Sequence, residues 1–141
     1  MRKFTLAATA AIFGLAGAAK ATNIEFWYGN TGNVETAIKA QCDAFNAAQS
    51  EHHVNCVGQG SYEVSMQKAI AAYRAKNHPV LMQFFDAGTL DLMLSDAVEP
   101  VQDLMPDVKW DKYIAGARAY YETSNGKLFA QPYNASTLLF Y

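Results

Sequence analysis

Several kinds of chemistry lack their residues in this 141-residue sequence. No Gly-x-Ser-x-Gly elbow occurs, so the exposed serine nucleophile of an α/β-hydrolase has no place to sit. The glycines of Gly29-Asn-Thr-Gly-Asn33 do not form a dinucleotide or phosphate-loop fingerprint and read as turn chemistry. There are only two cysteines, Cys42 and Cys56, and they lack zinc-motif spacing. Positive charge is also scarce. Without residues 1–21 the chain loses Arg2, Lys3 and Lys20 and no acid, so eight basic residues remain against 13 acidic ones, a net charge of −5. That balance argues against nucleic acid or an anionic membrane surface as partner. Beyond the N-terminal segment no apolar run is long enough to span a bilayer. There is no internal repeat, low-complexity tract or linker, so no domain boundary is expected within residues 22–141.

The N-terminus reads as a signal peptide. Met1-Arg2-Lys3 is a basic n-region, Phe4–Ala18 an Ala/Gly-rich apolar h-region, and Ala19-Lys20-Ala21 a small-x-small cleavage site. Cleavage is expected between Ala21 and Thr22. A bacterial lipoprotein is disfavoured because no cysteine follows the h-region. The chain stops at Thr137-Leu-Leu-Phe-Tyr141, which reads as an apolar strand, so the sequence is expected to be the N-terminal part of a longer exported protein.

From Thr22 on, apolar runs of period two alternate with runs of helical period. Asn23–Tyr28 reads as strand one, Val34–Ala48 as helix one and His52–Val57 as strand two. A helix capped by Ser61 follows from Tyr62 to Ala75, with Met66, Ile70 and Tyr73 as its buried stripe. Val80–Phe85 then reads as a third, central strand buried on both faces, with Thr89 capping the next helix. The order predicts an α/β fold, a mostly parallel sheet with crossover helices. After Val98 the pattern loosens. Asp111–Tyr120 is expected as a helix with Ile114 and Ala117 facing in, and Ser124-Asn-Gly-Lys127 as a two-residue hairpin turn.

In open α/β sheets ligands bind at the carboxyl ends of the strands. Three positions fall there or in polar loops on the same rim: Tyr62, Asp86 and Ser136, with Trp27 and Tyr28 ending strand one beside them. An acid that accepts from hydroxyls, hydroxyls that donate and rings that cover C–H faces suit a polyhydroxylated ligand. Each residue also has a plainer role: Tyr62 as a first-turn helix residue, Asp86 as a turn cap, Ser136 as a loop hydroxyl bonded to backbone. Glu63 with Asp86 would be the pair in a secreted carbohydrate-active enzyme. His52-His53 with Cys56 as a metal site is disfavoured, because adjacent strand side chains point to opposite faces. Cys42 on the sheet side of helix one and Cys56 in strand two are either bridged or two small buried apolar residues.

Read together and in order, the signal peptide, Phe26-Trp27, Phe45-Asn46-Ala47, Gly60-Ser-Tyr62-Glu63, Ala69–Arg74, Gln83–Thr89 and Gly126–Ser136 resemble the sn-glycerol-3-phosphate-binding family of ABC importers, within the maltose-binding-like class of extracellular solute-binding proteins. The resemblance covers essentially all of residues 22–141. It implies a two-lobed periplasmic-binding-protein fold of which this is the N-terminal part. It also implies a monomer in the periplasm that binds glycerol 3-phosphate, or glycerophosphodiesters such as glycerophosphocholine, and delivers it to an inner-membrane permease. No cofactor, metal or catalytic residue is expected. The family's ligand contacts carry over to Tyr62, Asp86 and Ser136. Where the family can have Glu, this sequence has Asp86, one methylene shorter. Where it has a Ser-Ser pair, this sequence has Ala135-Ser136. A binding protein for an oligosaccharide or polyol is the alternative in the same fold.

Overall fold

The computed structural model describes residues 21–134. The h-region, Ser136 and the apolar run Thr137–Tyr141 therefore lie outside the described residues.

Strand β1 (Thr22–Tyr28) runs parallel to β2 (His52–Gly58) along its whole length and to β3 (Leu81–Met82) over Phe26 and Trp27. The order is β2-β1-β3, with helices α1 (Gly32–Ala48) and α2 (Tyr62–Arg74) as the crossovers. The α/β architecture with a parallel sheet is thus as the sequence predicts. The position of β3 is not: the run Val80–Phe85 yields two strand residues at the edge of the described sheet, and β1 is the central strand. Val80 is 81% exposed, so the run is not buried on both faces. Gln83 explains the early stop. Its N–H still bonds to Trp27 O, but its carboxamide turns inward and accepts from Gly29 N at 3.0 Å, so a side chain replaces the next rung of the ladder.

The helices pack by small contacts. In α1 only Ile38 is fully buried, while Val34 and Phe45 stay well exposed, because three strands are too narrow a floor for the whole helical stripe. Helix α2 begins at a Ser61 cap whose hydroxyl accepts from Val64 N. It turns Tyr62, Ser65, Ala69 and Ala72 toward the sheet, leaving Ile70 and Tyr73 more exposed. The buried stripe is therefore rotated by about one residue from the predicted Met66/Ile70/Tyr73 line, which brings small side chains against the strands.

The free edge of β2 is covered by α1 side chains. Gln59 N bonds to Tyr28 O and Thr22 N to Glu51 O, so odd-numbered residues of this stretch face β1 and His52, Val54 and Cys56 face outward. Asn46 accepts from Val54 N at 2.8 Å and donates to Val54 O at 2.9 Å. Gln49 does the same to His52, at 2.8 and 2.7 Å. Cys42 is disulfide-bonded to Cys56, with Cα atoms 6.5 Å apart. Residues 42, 46 and 49 recur at i, i+4 and i+7, so one face of α1 meets three successive outward residues of β2.

Beyond β3 come α3 (Thr89–Leu94), α4 (Val101–Leu104) and α5 (Ala115–Ala119). Thr89 is the first helical residue of α3 rather than its cap. In the turn before it, Asp86–Gly88, the Asp86 carboxylate accepts from Ala87 N at 2.8 Å. Helix α5 is shorter than the predicted Asp111–Tyr120, and Ile114 stands 80% exposed before it instead of facing in. The turn after Thr123 is a three-residue loop. Thr123 N bonds to Lys127 O, Gly126 has φ +79° and Asn125 has no positive φ, whereas the predicted two-residue turn needs positive φ at both. This loop seats Leu128, 1% exposed, against α4, where Leu128 N donates to Gln102 Oε1.

Candidate functional site

In a 2-1-3 parallel order the chain leaves β1 toward one side and returns on the other. The crevice lies between the carboxyl ends of β1 and β3. Three exits meet near it: Gly29-Asn30 after β1, Ser61-Tyr62 after β2 and Phe84-Phe85-Asp86 after β3.

Tyr62 is the first residue of α2, which points its side chain back toward the strand ends. Its ring lies nearly parallel to that of Phe85, with centroids 5.8 Å apart and planes at 10°. Its hydroxyl oxygen accepts from Asn30 Nδ2 at 3.0 Å. Gly29 permits this approach: a Cβ there would stand 2.9 Å from Tyr62 Cδ1 and 3.0 Å from Tyr62 Cα.

Asp86 follows Phe85 directly and is exposed. With Oδ1 on Ala87 N, the carboxylate is oriented and retains further acceptor capacity. The Tyr120 hydroxyl donates to Asp86 O at 3.2 Å. A cavity of about 340 Å³ opens here, lined by Asp86, Tyr120, Tyr121, Tyr133 and Asn134 among others. Burial, and then the negative charge of Asp86, push the Tyr121 phenol above its ordinary value of 10.0, so it stays a protonated donor at neutral pH.

The structure thus joins Tyr62 to Asp86 through the stacked Phe85, and Ser136 lies outside the described residues. Tyr28 is a correction. It is 0% exposed beneath α1 with its hydroxyl 3.4 Å from Glu35, so it belongs to the core and not to the rim. Trp27, on the opposite face of β1, donates to Glu25 at 2.6 Å. Asn30, Phe85, Tyr120, Tyr121 and Tyr133 went unnoticed in the sequence. Asn30 and Phe85 were findable by the same strand-exit rule. The tyrosines arrive from short helices and loops without periodicity.

Glu63, the other carboxylate of the enzyme reading, accepts from the Ser61 hydroxyl at 2.7 Å, and that bond holds its acid below the ordinary 4.5. A glycosidase acid needs the opposite shift. Cys56 is consumed by the disulfide and offers no thiolate to a metal.

Residues 40–141 match the family described as bacterial extracellular solute-binding protein. Among curated proteins, the sn-glycerol-3-phosphate-binding periplasmic protein UgpB of Pectobacterium atrosepticum is 34% identical over 131 residues, covering 89% of this chain and 30% of that protein. Its counterpart in Agrobacterium fabrum is 33% identical, covering 98% of this chain and 33% of its own length. The chain therefore spans about a third of the length of these relatives. Among solved structures, the sugar-binding protein MalE of Xanthomonas citri superposes with a TM-score of 0.68 at 20% identity, over 79% of this chain and 28% of that one. An extracellular solute-binding protein family 1 member from Alicyclobacillus acidocaldarius gives 0.66 at 15% identity, over 77% and 27%. The structural likenesses speak for the fold alone; the match over residues 40–141 shows that this chain belongs to the bacterial extracellular solute-binding protein family.

Proposed function

We propose that this chain is the ligand-contacting N-terminal part of a two-lobed periplasmic protein that captures sn-glycerol 3-phosphate and delivers it to an ABC permease. In this reading residues 1–21 are the export signal and residues 22–141 belong to the binding protein, which acts as a monomer. The observation that carries the reading is the stack of Tyr62 on Phe85, the residue before Asp86, at the carboxyl ends of β1 and β3. It comes in a chain 30–34% identical to proteins named for that ligand.

The chemistry divides the ligand. Asp86 repels a phosphate and suits the glycerol hydroxyls, which can donate to its free lone pairs. Tyr62 and Ser136 suit the phosphate oxygens as donors, and the N–H groups at the start of α2 point the same way. Glycerophosphodiesters keep both features and fit the same division. The aromatic-lined cavity beside Asp86 also favours a neutral polyol or oligosaccharide as the second reading, since rings cover sugar C–H faces.

Calorimetry on the full-length protein separates the two. The proposal expects saturable binding of sn-glycerol 3-phosphate and no measurable binding of a neutral oligosaccharide, with ligand recovered unchanged. Preference for the neutral ligand would reverse the order of the readings, and turnover would make the protein an enzyme.

A further inference from the structure

The Tyr62 phenol has one hydrogen to donate and lone pairs with which to accept. Its ring is fixed by the Phe85 stack and by the close approach of Gly29. What remains free is the torsion of its O–H bond, and the neighbour that acts on that torsion is Asn30. Asn30 Nδ2 donates to the Tyr62 hydroxyl oxygen at 3.0 Å, while Asn30 Oδ1 is buried with no partner among the described residues. The loop carrying Asn30 is itself held, because Gly29 N donates to the buried Gln83 carboxamide and Gln83 N donates to Trp27 O.

We infer that Asn30 is a positioning residue for ligand binding: by donating to the Tyr62 hydroxyl it occupies that oxygen's acceptor side and turns the phenol hydrogen outward, toward an anionic acceptor such as a phosphate oxygen. The polarity decides the outcome. With the amide turned the other way, the phenol hydrogen would be committed to Asn30 and Tyr62 could only accept, which suits a hydroxyl and not a phosphate. The pair therefore selects for an acceptor ligand at this corner. The inference rests on Tyr62 being a ligand contact, as proposed above.

A double-mutant cycle on the full-length protein, read by calorimetry with sn-glycerol 3-phosphate, tests it. Tyr62→Phe and Asn30→Ala are each expected to weaken binding about tenfold, the size of one well-placed hydrogen bond to a charged group. In the Tyr62→Phe background Asn30→Ala should change affinity less than about twofold. Asn30→Asp keeps the shape but reverses the polarity, since a carboxylate accepts the phenol hydrogen. It should weaken binding more in the wild type than in the Tyr62→Phe background, and it replaces Asn30→Ala if that variant does not fold. If Tyr62→Phe leaves affinity unchanged, Tyr62 is not a contact and the underlying reading fails. If Tyr62→Phe weakens binding but Asn30 substitutions act equally in both backgrounds, the reading stands and the positioning role is overturned.

Discussion

At the scale of single residues, Gly29 and Glu63 show how local chemistry sets up the rim. Gly29 is not among the glycines with positive φ, so its requirement is one of space. A methyl group there meets Tyr62 Cδ1 at 2.9 Å, Tyr62 Cα at 3.0 Å and Ser61 O at 3.2 Å, and two of those atoms are backbone that cannot rotate away. Gly29→Ala is expected to destabilise the protein by ~1–3 kcal/mol, the usual cost of overpacking. It should also shift the start of α2, so a lower urea midpoint with altered near-ultraviolet tyrosine dichroism is the expected signature. Wild-type values in both would show that the loop yields freely. Glu63 sits in the first turn of α2, where the Ser61 hydroxyl and the helix N-terminus favour its ionised form. Its folded acid constant lies below the ordinary 4.5, so the folded state binds its proton less readily than the unfolded chain. The stability it adds is present above that ordinary value and is lost as pH falls through the folded one. Wild type and Glu63→Gln should therefore differ in urea midpoint near neutral pH and converge in acid. A difference that grows on acidification would contradict the assignment.

Among the elements, α1 is fastened to β2 by two carboxamide side chains and a disulfide. An uncovered outer edge on β2 would template pairing with another chain. The Asn46 and Gln49 carboxamides occupy the outward N–H and C=O groups of Val54 and His52 as a neighbouring strand would. The Cys42–Cys56 bridge closes a separation of 14 residues on the same face. Its loss in Cys42→Ala is expected to lower stability by about 3 kcal/mol in the chain-entropy model. Thiol titration of the denatured, unreduced protein should find no free thiol, and two would reject the bridge. Asn46→Ala with Gln49→Ala should bare the edge, and light scattering should then show concentration-dependent association that the wild type lacks. A monomeric double variant would mean that the edge is protected in another way.

These elements also show what a sequence discloses. The β1-α1-β2-α2 run was legible because period-two and helical-period stretches alternate and Ser61 is a strong cap. The centre of the sheet was not. Val80–Phe85 has the composition of a buried strand, and the inward turn of Gln83 that ends it depends on Gly29, 54 residues away. The α2 stripe was misplaced because size was read as burial, while the close approach to the sheet selects Ser65, Ala69 and Ala72. The Asn-Gly turn was located but mistyped, since its loop length is set by the bond from Thr123 to Lys127. Of the site, Tyr62 and Asp86 follow from the strand-exit rule. Their link through Phe85 and Asn30 needs three-dimensional neighbours that spacing does not encode.

For the molecule as a whole, the proposed function rests on the crevice between β1 and β3. The proposed division of labour sets a hydroxyl-binding carboxylate at Asp86 apart from phosphate-facing donors at Tyr62. In the proposed site Asp86 is the decisive residue because it is exposed, its carboxylate is oriented by a bond from Ala87 N, and it forms no salt bridge among the described residues. The most direct measurement is the affinity of the full-length protein for sn-glycerol 3-phosphate, by calorimetry, in wild type and in Asp86→Asn. The amide replaces one carboxylate acceptor with a donor and removes the charge, so binding should weaken by roughly 1.5–3 kcal/mol while the thermal unfolding midpoint stays in place. Equal affinity in the two proteins would contradict the account.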